Sequence, residues 1–562
     1  MAPALGSRSL QALAVVLALV AALAVVRLLD GRFDRRTAAL RGRFVAGVPW
    51  GTVASALFVL AVYLFVQGGW DRWNAPVTIP FAAWSYSYPL GVLAAAFSHS
   101  GPGHLTGNLV ATLTLAPLVE YAWGHFPHAR GSASFGSWRT NPYARAFVLF
   151  PLCVVAGGLL TAALSLGPVI GFSGVVFAFA GFALVYYPFA TVLALAATRV
   201  LQLAYDALLH PVSTATSRTT FSVPWFADIA VQGHLLGFLL GALAALWLAR
   251  RRGDDLPSAL RLWTGLLLFA VAQSMWAVYW FRGNGTYVLY RAVGFVLVVF
   301  LATLLTAAAT APDRRPLARV ADAGASGRDT VRGYVASMSG RELALALLVF
   351  FAAVVAGPGV GVNLLFAADD GELPGESVTV RDYEVTYAEN VSDGMVAVID
   401  VEAFGETTSV NTSGVIVRSG ERNVWMTAVP ESRLATDGNA SVHVGGVGWR
   451  ETVVASREGW KPVGADPVYR VSLAVDGERK PAYASPPSVA EPVVEGRNVS
   501  LVADRGGFSI VVYDGEGAAS GPVPGADERV TIDGVEFVRD GERLFARADD
   551  TRVRIATKER YR

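Results

Sequence analysis

Residues 171–209 read GFSGVVFAFAGFALVYYPFATVLALAATRVLQLAYDALL, an almost continuous apolar run. A spanning helix needs about 20 mostly apolar residues, so this run is long enough for two crossings. Tyr186-Tyr187-Pro188 divides it, because proline ends or kinks a helix. Two spans are therefore expected, at 171–188 and 189–209. Reading outward gives further spans near 9–27, 48–68, 103–123, 145–165, 229–249, 263–281, 290–311 and 343–366. Beyond 366 no such run occurs.

Composition agrees with this division. Hydrophobic residues make up 53% of the 562 and charged residues 16%, against about 25% charged in soluble globular proteins. The 46 Lys+Arg and 45 Asp+Glu leave no basic excess that would suit nucleic acid. Charge is unevenly placed, however. Residues 1–366 carry 25 basic and 12 acidic side chains, and 367–562 carry 21 basic and 33 acidic. Cys153 is the only cysteine, which rules out an intrachain disulfide and a cysteine-based zinc cluster. The fold class expected is an all-α polytopic membrane bundle followed by a β-rich soluble domain.

Orientation follows from arginine. The first apolar run has Arg8 before it and Arg27, Arg32, Arg35, Arg36, Arg41 and Arg43 after it, the reverse of a cleavable signal. It reads as an uncleaved helix with its N-terminus outside. Strict alternation then puts Arg130, Arg139 and Arg145 inside, with Arg250, Arg251 and Arg252, and with Arg314, Arg315, Arg319, Arg328 and Arg332, as the positive-inside rule requires. Residues from 367 onward emerge outside. Sequons at Asn284, Asn390, Asn411, Asn439 and Asn498 all fall in segments assigned to that side, as possible glycosylation sites.

The tail alternates apolar and polar residues at Val378–Tyr387, Met395–Phe404, Val415–Val417, Phe508–Tyr513 and Val530–Phe537. Asp-Gly pairs at 393, 437, 476, 514, 533 and 540 punctuate it as hairpin turns do. One or two β-sandwich-like modules are expected. The tail shows no catalytic or metal-ligand spacing, and a chain ending near residue 342 is expected to keep any chemistry.

Polar residues within spans are costly and mark function by default. Three clusters stand out: His99-Ser-Gly-Pro-Gly-His104-Leu-Thr-Gly-Asn108, Gly171-Phe172-Ser173-Gly174 followed by Phe177, and His234-Leu-Leu-Gly237-Phe-Leu-Leu-Gly241. All lie toward the outer half of the bilayer in the assigned topology. A serine needs a base to accept its proton, and neutral imidazole suits that role. His104 and Asn108 share one helix face and could donate to an oxyanion. Each cluster alone is read as readily as helix packing, a metal site or a proton relay. Two other classes stay open: a non-proteolytic scaffold binding client helices, and a proton-coupled transporter.

Together and in this order, the clusters resemble the rhomboid intramembrane serine proteases, with H-x4-H-x3-N, G-x-S-G and H-x2-G-x3-G on successive core helices. The resemblance covers roughly 48–250 and implies a six-helix catalytic core there. Residues 1–47 would add a helix and a basic cytoplasmic linker, 251–366 three further helices, and 367–562 an acidic exterior domain. It implies Ser173 as nucleophile, His234 as base, and His104 and Asn108 at the oxyanion. His99 would be a supporting hydrogen-bonder and Phe177 the ring against the histidine, with Gly171, Gly174, Gly237 and Gly241 supporting. No metal or cofactor is implied, and the partners are the lipid bilayer and transmembrane protein substrates cut near the outer face of a cell membrane. Two positions depart from the family: Trp84-Ser85 stands where a Trp-Arg pair is common, and Gly233 where alanine usually precedes the histidine.

Overall fold

The computed structural model of the protein describes residues 5–29, 33–127, 131–212, 221–227, 229–283, 285–312, 338–368, 373–394, 410–515, 517–549 and 551–561. Two compact units emerge, one of Met1–Ser217, Pro224–Trp280 and Val288–Phe366, the other of Arg218–Val223, Phe281–Tyr287 and Ala367–Arg562.

The first unit is helical: α1 (Leu5–Leu29), α2 (Phe33–Arg43), α3 (Trp50–Ala61, continued by a π turn over Val62–Val66), α4 (Pro89–Ala95), α5 (Pro102–Trp123), α6 (Pro142–Ala144), α7 (Phe150–Leu164), α8 (Ser173–Tyr186), α9 (Pro188–Leu209), α10 (Val231–Arg252), α11 (Ala259–Ala272), α12 (Arg291–Thr310) and α13 (Gly340–Leu365). A helix lies at each of the ten expected spans. Six helical stretches are long and apolar enough to cross a membrane, and Trp50–Val66, Ser173–Tyr186 and Ala259–Ala272 are shorter apolar helices. This is a multi-pass membrane protein. α11 ends well before the expected 281, at Ala272, where the chain turns through Ser274 with φ 55°. The surface helix α2 and the short α4 were not expected. Proline occupies the first turn of α4, α5 and α9, where its missing N–H costs nothing. Arg130 and the 313–337 loop with its arginines lie outside the described residues.

With no water in the bilayer core, backbone groups at helix ends must find protein partners. Pro49 gives α3 no side-chain cap. The fully buried Glu120 of α5 supplies one from a distance, accepting from the Gly51 and Thr52 amides at 2.7 and 2.8 Å, the Thr52 hydroxyl at 2.7 Å and His125 Nε2 at 2.5 Å. The C-terminal end of α5, which carries Glu120, is closed by cations, as the helix dipole favours. Arg145 donates to the Gly124 and Trp123 carbonyls, and Arg252 to those of Ala122 and Trp123.

α13 is bound more closely than a dispensable addition would be. Asn363 Nδ2 donates to the Ser165 carbonyl at 3.0 Å, its own carbonyl accepts from the Tyr86 amide at 2.9 Å, and the Val355 carbonyl accepts from Gln232 Nε2 at 2.7 Å. A Cβ on Gly359 would lie 2.3 Å from the Leu164 carbonyl oxygen. An end near 342 would remove α13 and strip these partners from the loop after α7 and from the first turn of α10.

Two short strands, β1 (Tyr279–Phe281) and β2 (Tyr287–Leu289), precede α12. In the second unit, β3 to β6 (Val378–Val380, Tyr383–Ser392, Asn411–Ser419, Val424–Pro430) form one antiparallel sheet. After the short α14 (Glu431–Asp437) come β7 (Asn439–Gly446), β8 (Trp449–Pro462), β9 (Val468–Val475) and β10 (Glu478–Ala484). They share an eight-stranded sheet with β15 to β18 (Arg529–Ile532, Val535–Asp540, Arg543–Ala548, Thr551–Lys558). β11 to β14 (Ser488–Val494, Arg497–Ala503, Phe508–Tyr513, Ala518–Pro522) make a third sheet whose Val499, Leu501 and Ile510 share a core with Phe537, Leu544 and Ile555 of the large sheet.

Turn chemistry accounts for much of this. Asp476-Gly477 and Asp533-Gly534 have positive φ at both residues, the geometry that tight hairpins need. Asp533 thus splits the expected Val530–Phe537 run into two strands, and Arg381 with φ 54° splits Val378–Tyr387. Asp437-Gly438 instead ends α14, with Gly438 as a left-handed cap. The expected strand Met395–Phe404 lies outside the described residues. Near that turn at Arg381, burial by itself would raise the Asp382 carboxyl, but hydrogen bonds from Arg422 and Ser419 outweigh it and hold it below the usual carboxylate range. Asn390, Asn411, Asn439 and Asn498 are exposed, and Asn284 lies outside the described residues.

The long-range cap yields a test. Glu120→Ala leaves the buried Gly51 and Thr52 amides unpaired and should cost about 3 kcal/mol, read as a lowered unfolding midpoint in detergent. Glu120→Gln should lose less. A midpoint unchanged in Glu120→Ala would contradict the capping role.

Candidate active site

The three polar clusters converge on one cavity of about 350 Å³ lined by His104, Asn108, Ser173 and His234, with Phe177 on its wall. Each is delivered by a different helix. α5 starts at Pro102 and sets His104 and Asn108 one turn apart; Ser100 Oγ lies 3.0 Å from His104 Nδ1. Asn108 is buried, and its Nδ2 has no hydrogen-bond partner among the described residues. A buried amide donor left open is costly, so something outside the chain must complete it.

Ser173 is the first residue of α8. First-turn amides of a helix have no intrahelical acceptor, so the serine hydroxyl sits beside unused backbone donors. Gly171 just before it has φ 127°, and a Cβ there would fall 2.4 Å from the His104 ring. Both the backbone conformation and the close approach require glycine.

α10 brings His234, whose Nε2 lies 2.9 Å from Ser173 Oγ. The pair meets because α8 and α10 pack backbone to backbone. A Cβ on Gly237 would lie 2.0 Å from the Gly174 carbonyl oxygen, one on Gly241 1.9 Å from that of Ala178, and one on Gly181 2.1 Å from that of Phe238. Small residues permit such approach between membrane helices. Phe177 stacks flat on His234, with centroids 4.3 Å apart and planes 9° from parallel. Gly174 leaves room for Thr161 of α7.

Residues 87–251 match the Rhomboid domain model. The chain carries a rhomboid domain over this stretch. No curated protein and no solved structure matches the chain.

Within the rhomboid domain His99, expected as a supporting hydrogen-bonder, is buried with its ring edge-on to His104 at 5.0 Å. Its backbone amide donates to Gln67 Oε1 at 2.7 Å and its carbonyl accepts from Gln67 Nε2 at 2.8 Å. The two departures also find physical places. Trp84 Nε1 donates to the Ile79 carbonyl and Ser85 Oγ to those of Asn363 and Phe366. A Cβ at Gly233 would come within 2.8 Å of Ser165 Oγ, so glycine makes room for that hydroxyl.

Sequence reasoning missed several cavity residues, among them the polar Thr198, Arg199 and Gln202 of α9 and Gln273 at the end of α11. The signal was present, since Arg199 and Gln202 interrupt an apolar span three residues apart. It was passed over because the run was read for length.

Backbone contact between α8 and α10 gives a prediction. Gly237→Ala should push the helices apart, lengthen the Ser173–His234 contact and abolish labelling of Ser173 by a fluorophosphonate. Gly157→Ala on α7, where a Cβ meets nothing within 4 Å, should leave labelling intact. Equal labelling of both variants would mean that the glycine contact does not set the pair.

Proposed function

We propose that the protein is an intramembrane serine endopeptidase that cuts transmembrane segments of other membrane proteins near the outer face. The observation that carries this is the 2.9 Å approach of His234 Nε2 to Ser173 Oγ inside a rhomboid domain. In this reading 48–250 is a six-helix catalytic core, and 1–47 and 251–366 are additions to it.

Ser173 Oγ attacks the scissile carbonyl carbon while His234 Nε2 takes its proton. The tetrahedral oxyanion is held by the Ser173 amide, Asn108 Nδ2 and His104, donors already fixed before charge develops. Ser100 at Nδ1 leaves His104 Nε2 toward the Gly171 turn. His234 then gives its proton to the leaving amine, and the acyl-enzyme remains on Ser173. Water activated by the same imidazole completes hydrolysis and restores both residues. The stack with Phe177 keeps the ring plane constant as it gains and loses charge. A substrate with small or helix-destabilising residues fits, because its backbone must unwind to offer a carbonyl.

Ser173→Ala and His234→Ala should each reduce cleavage of a model membrane substrate to background. The double variant should be no worse, since groups acting as one unit are non-additive. Asn108→Ala should be milder, at roughly 10²–10³ in kcat, because other donors remain. A packing role alone would lower the unfolding midpoint of these variants without selectively stopping turnover. Cleavage by pure Ser173→Ala at the wild-type rate would falsify the assignment.

In the same reading 367–562 faces the exterior of the cell membrane, supported by the distribution of arginine and by the exposed sequon asparagines. Protease added to intact cells should release a C-terminal fragment of about 20 kDa, its share by length of the 59.5 kDa chain. Release only after lysis would reverse the topology.

A further inference from the structure

Among the described residues, Arg199 is the only permanently charged side chain lining the Ser173–His234 cavity. It lies midway along α9, whose Leu193, Val200 and Leu203 are exposed as a lipid-facing surface would be. An arginine at such depth is expensive, and membrane helices carry one when it faces a cavity or a partner. Its neighbour Thr198 shares a hydrogen bond with Thr114 of α5 at 2.8 Å, which turns this part of α9 toward the cavity. The guanidinium reaches Gln202 Oε1 only at 3.5 Å and pairs with no carboxylate among the described residues.

Depth says what the group would meet. Arg199 lies eleven residues after Pro188, about 17 Å along the helix, and Gln202 about 21 Å. Ser173 lies thirteen residues before Tyr186 on the adjoining helix, about 20 Å. Cation, amide and serine therefore stand at about one level.

We propose that Arg199 and Gln202 form an anion subsite of the cleft, which takes an aspartate or glutamate side chain on the bound substrate segment. The proposal rests on the protease reading and deepens it by naming a substrate class. The planar guanidinium can hold both oxygens of a carboxylate, and the Gln202 amide adds a donor beside it. Arg199 is exposed, so a bound segment would itself cover the pair, and a lysine at the same substrate position is repelled. The subsite also relieves the cost of bringing an acidic membrane segment to the serine.

The test uses the full chain in nanodiscs and a single-span peptide of about 20 residues, with one Asp, Asn or Lys scanned along it. Wild type should cut the best Asp peptide about tenfold more efficiently in kcat/KM than its Asn twin. In Arg199→Gln the ratio should fall to about one, in Arg199→Lys it should be partly restored, and in Arg199→Glu preference should move to Lys. A purely structural Arg199 would lower both peptides together and keep the ratio, which overturns the proposal. Peptide affinity is measured in parallel on Ser173→Ala, with and without Arg199→Gln. Asp-selective binding that depends on Arg199 without any cleavage by wild type supports the subsite and sinks the protease reading. Cleavage with no Asp preference sinks the subsite alone. A response of Arg199→Gln to phosphatidylglycerol content, with Asp and Asn treated alike, assigns the cation to lipid and overturns the proposal.

Discussion

The chemistry depends on two helices touching through their backbones. At Gly181, Gly237 and Gly241 the space between α8 and α10 admits hydrogen and no carbon. No other arrangement of these helices puts a first-turn serine within hydrogen-bond reach of a histidine one turn into its neighbour. Membrane helices gain little from burying apolar area against each other, because lipid is as apolar as leucine. Close packing of small residues is the attraction that remains, and the same contact both holds the bundle and sets the reacting pair.

The remaining polar groups of the helical unit follow the rule that nothing in a bilayer goes unpaired without reason. Glu120 caps one helix, Arg145 and Arg252 close another, and Gln67 and Asn363 pin loops. Against that background the open Asn108 amide is conspicuous. It lines the cavity that holds Ser173 and His234.

Legibility in the sequence tracked how local the physics is. Span positions were readable because apolar length is a one-dimensional property, and the serine, histidine and asparagine because their spacing is fixed along single helices. α11 was misjudged at its end, since Ser274 adopts positive φ without a glycine to announce it. The role of α13 was invisible, because Asn363 and Gln232 meet partners far off in sequence. In the tail, Asp-Gly pairs located hairpins correctly at 476 and 533 but not at 437, where the same dipeptide terminates a helix.

His234 has a second ring nitrogen, and no described residue engages it. An imidazole that accepts at Nε2 carries its hydrogen on Nδ1. In a triad a carboxylate fixes that tautomer; here Ser173 itself must select it through the same bond that will transfer the proton. In the proposed protease reading the competent form is a population, and the apparent rate is the intrinsic rate scaled by that fraction. Flat stacking on Phe177 narrows the ring's rotation but leaves the tautomer free.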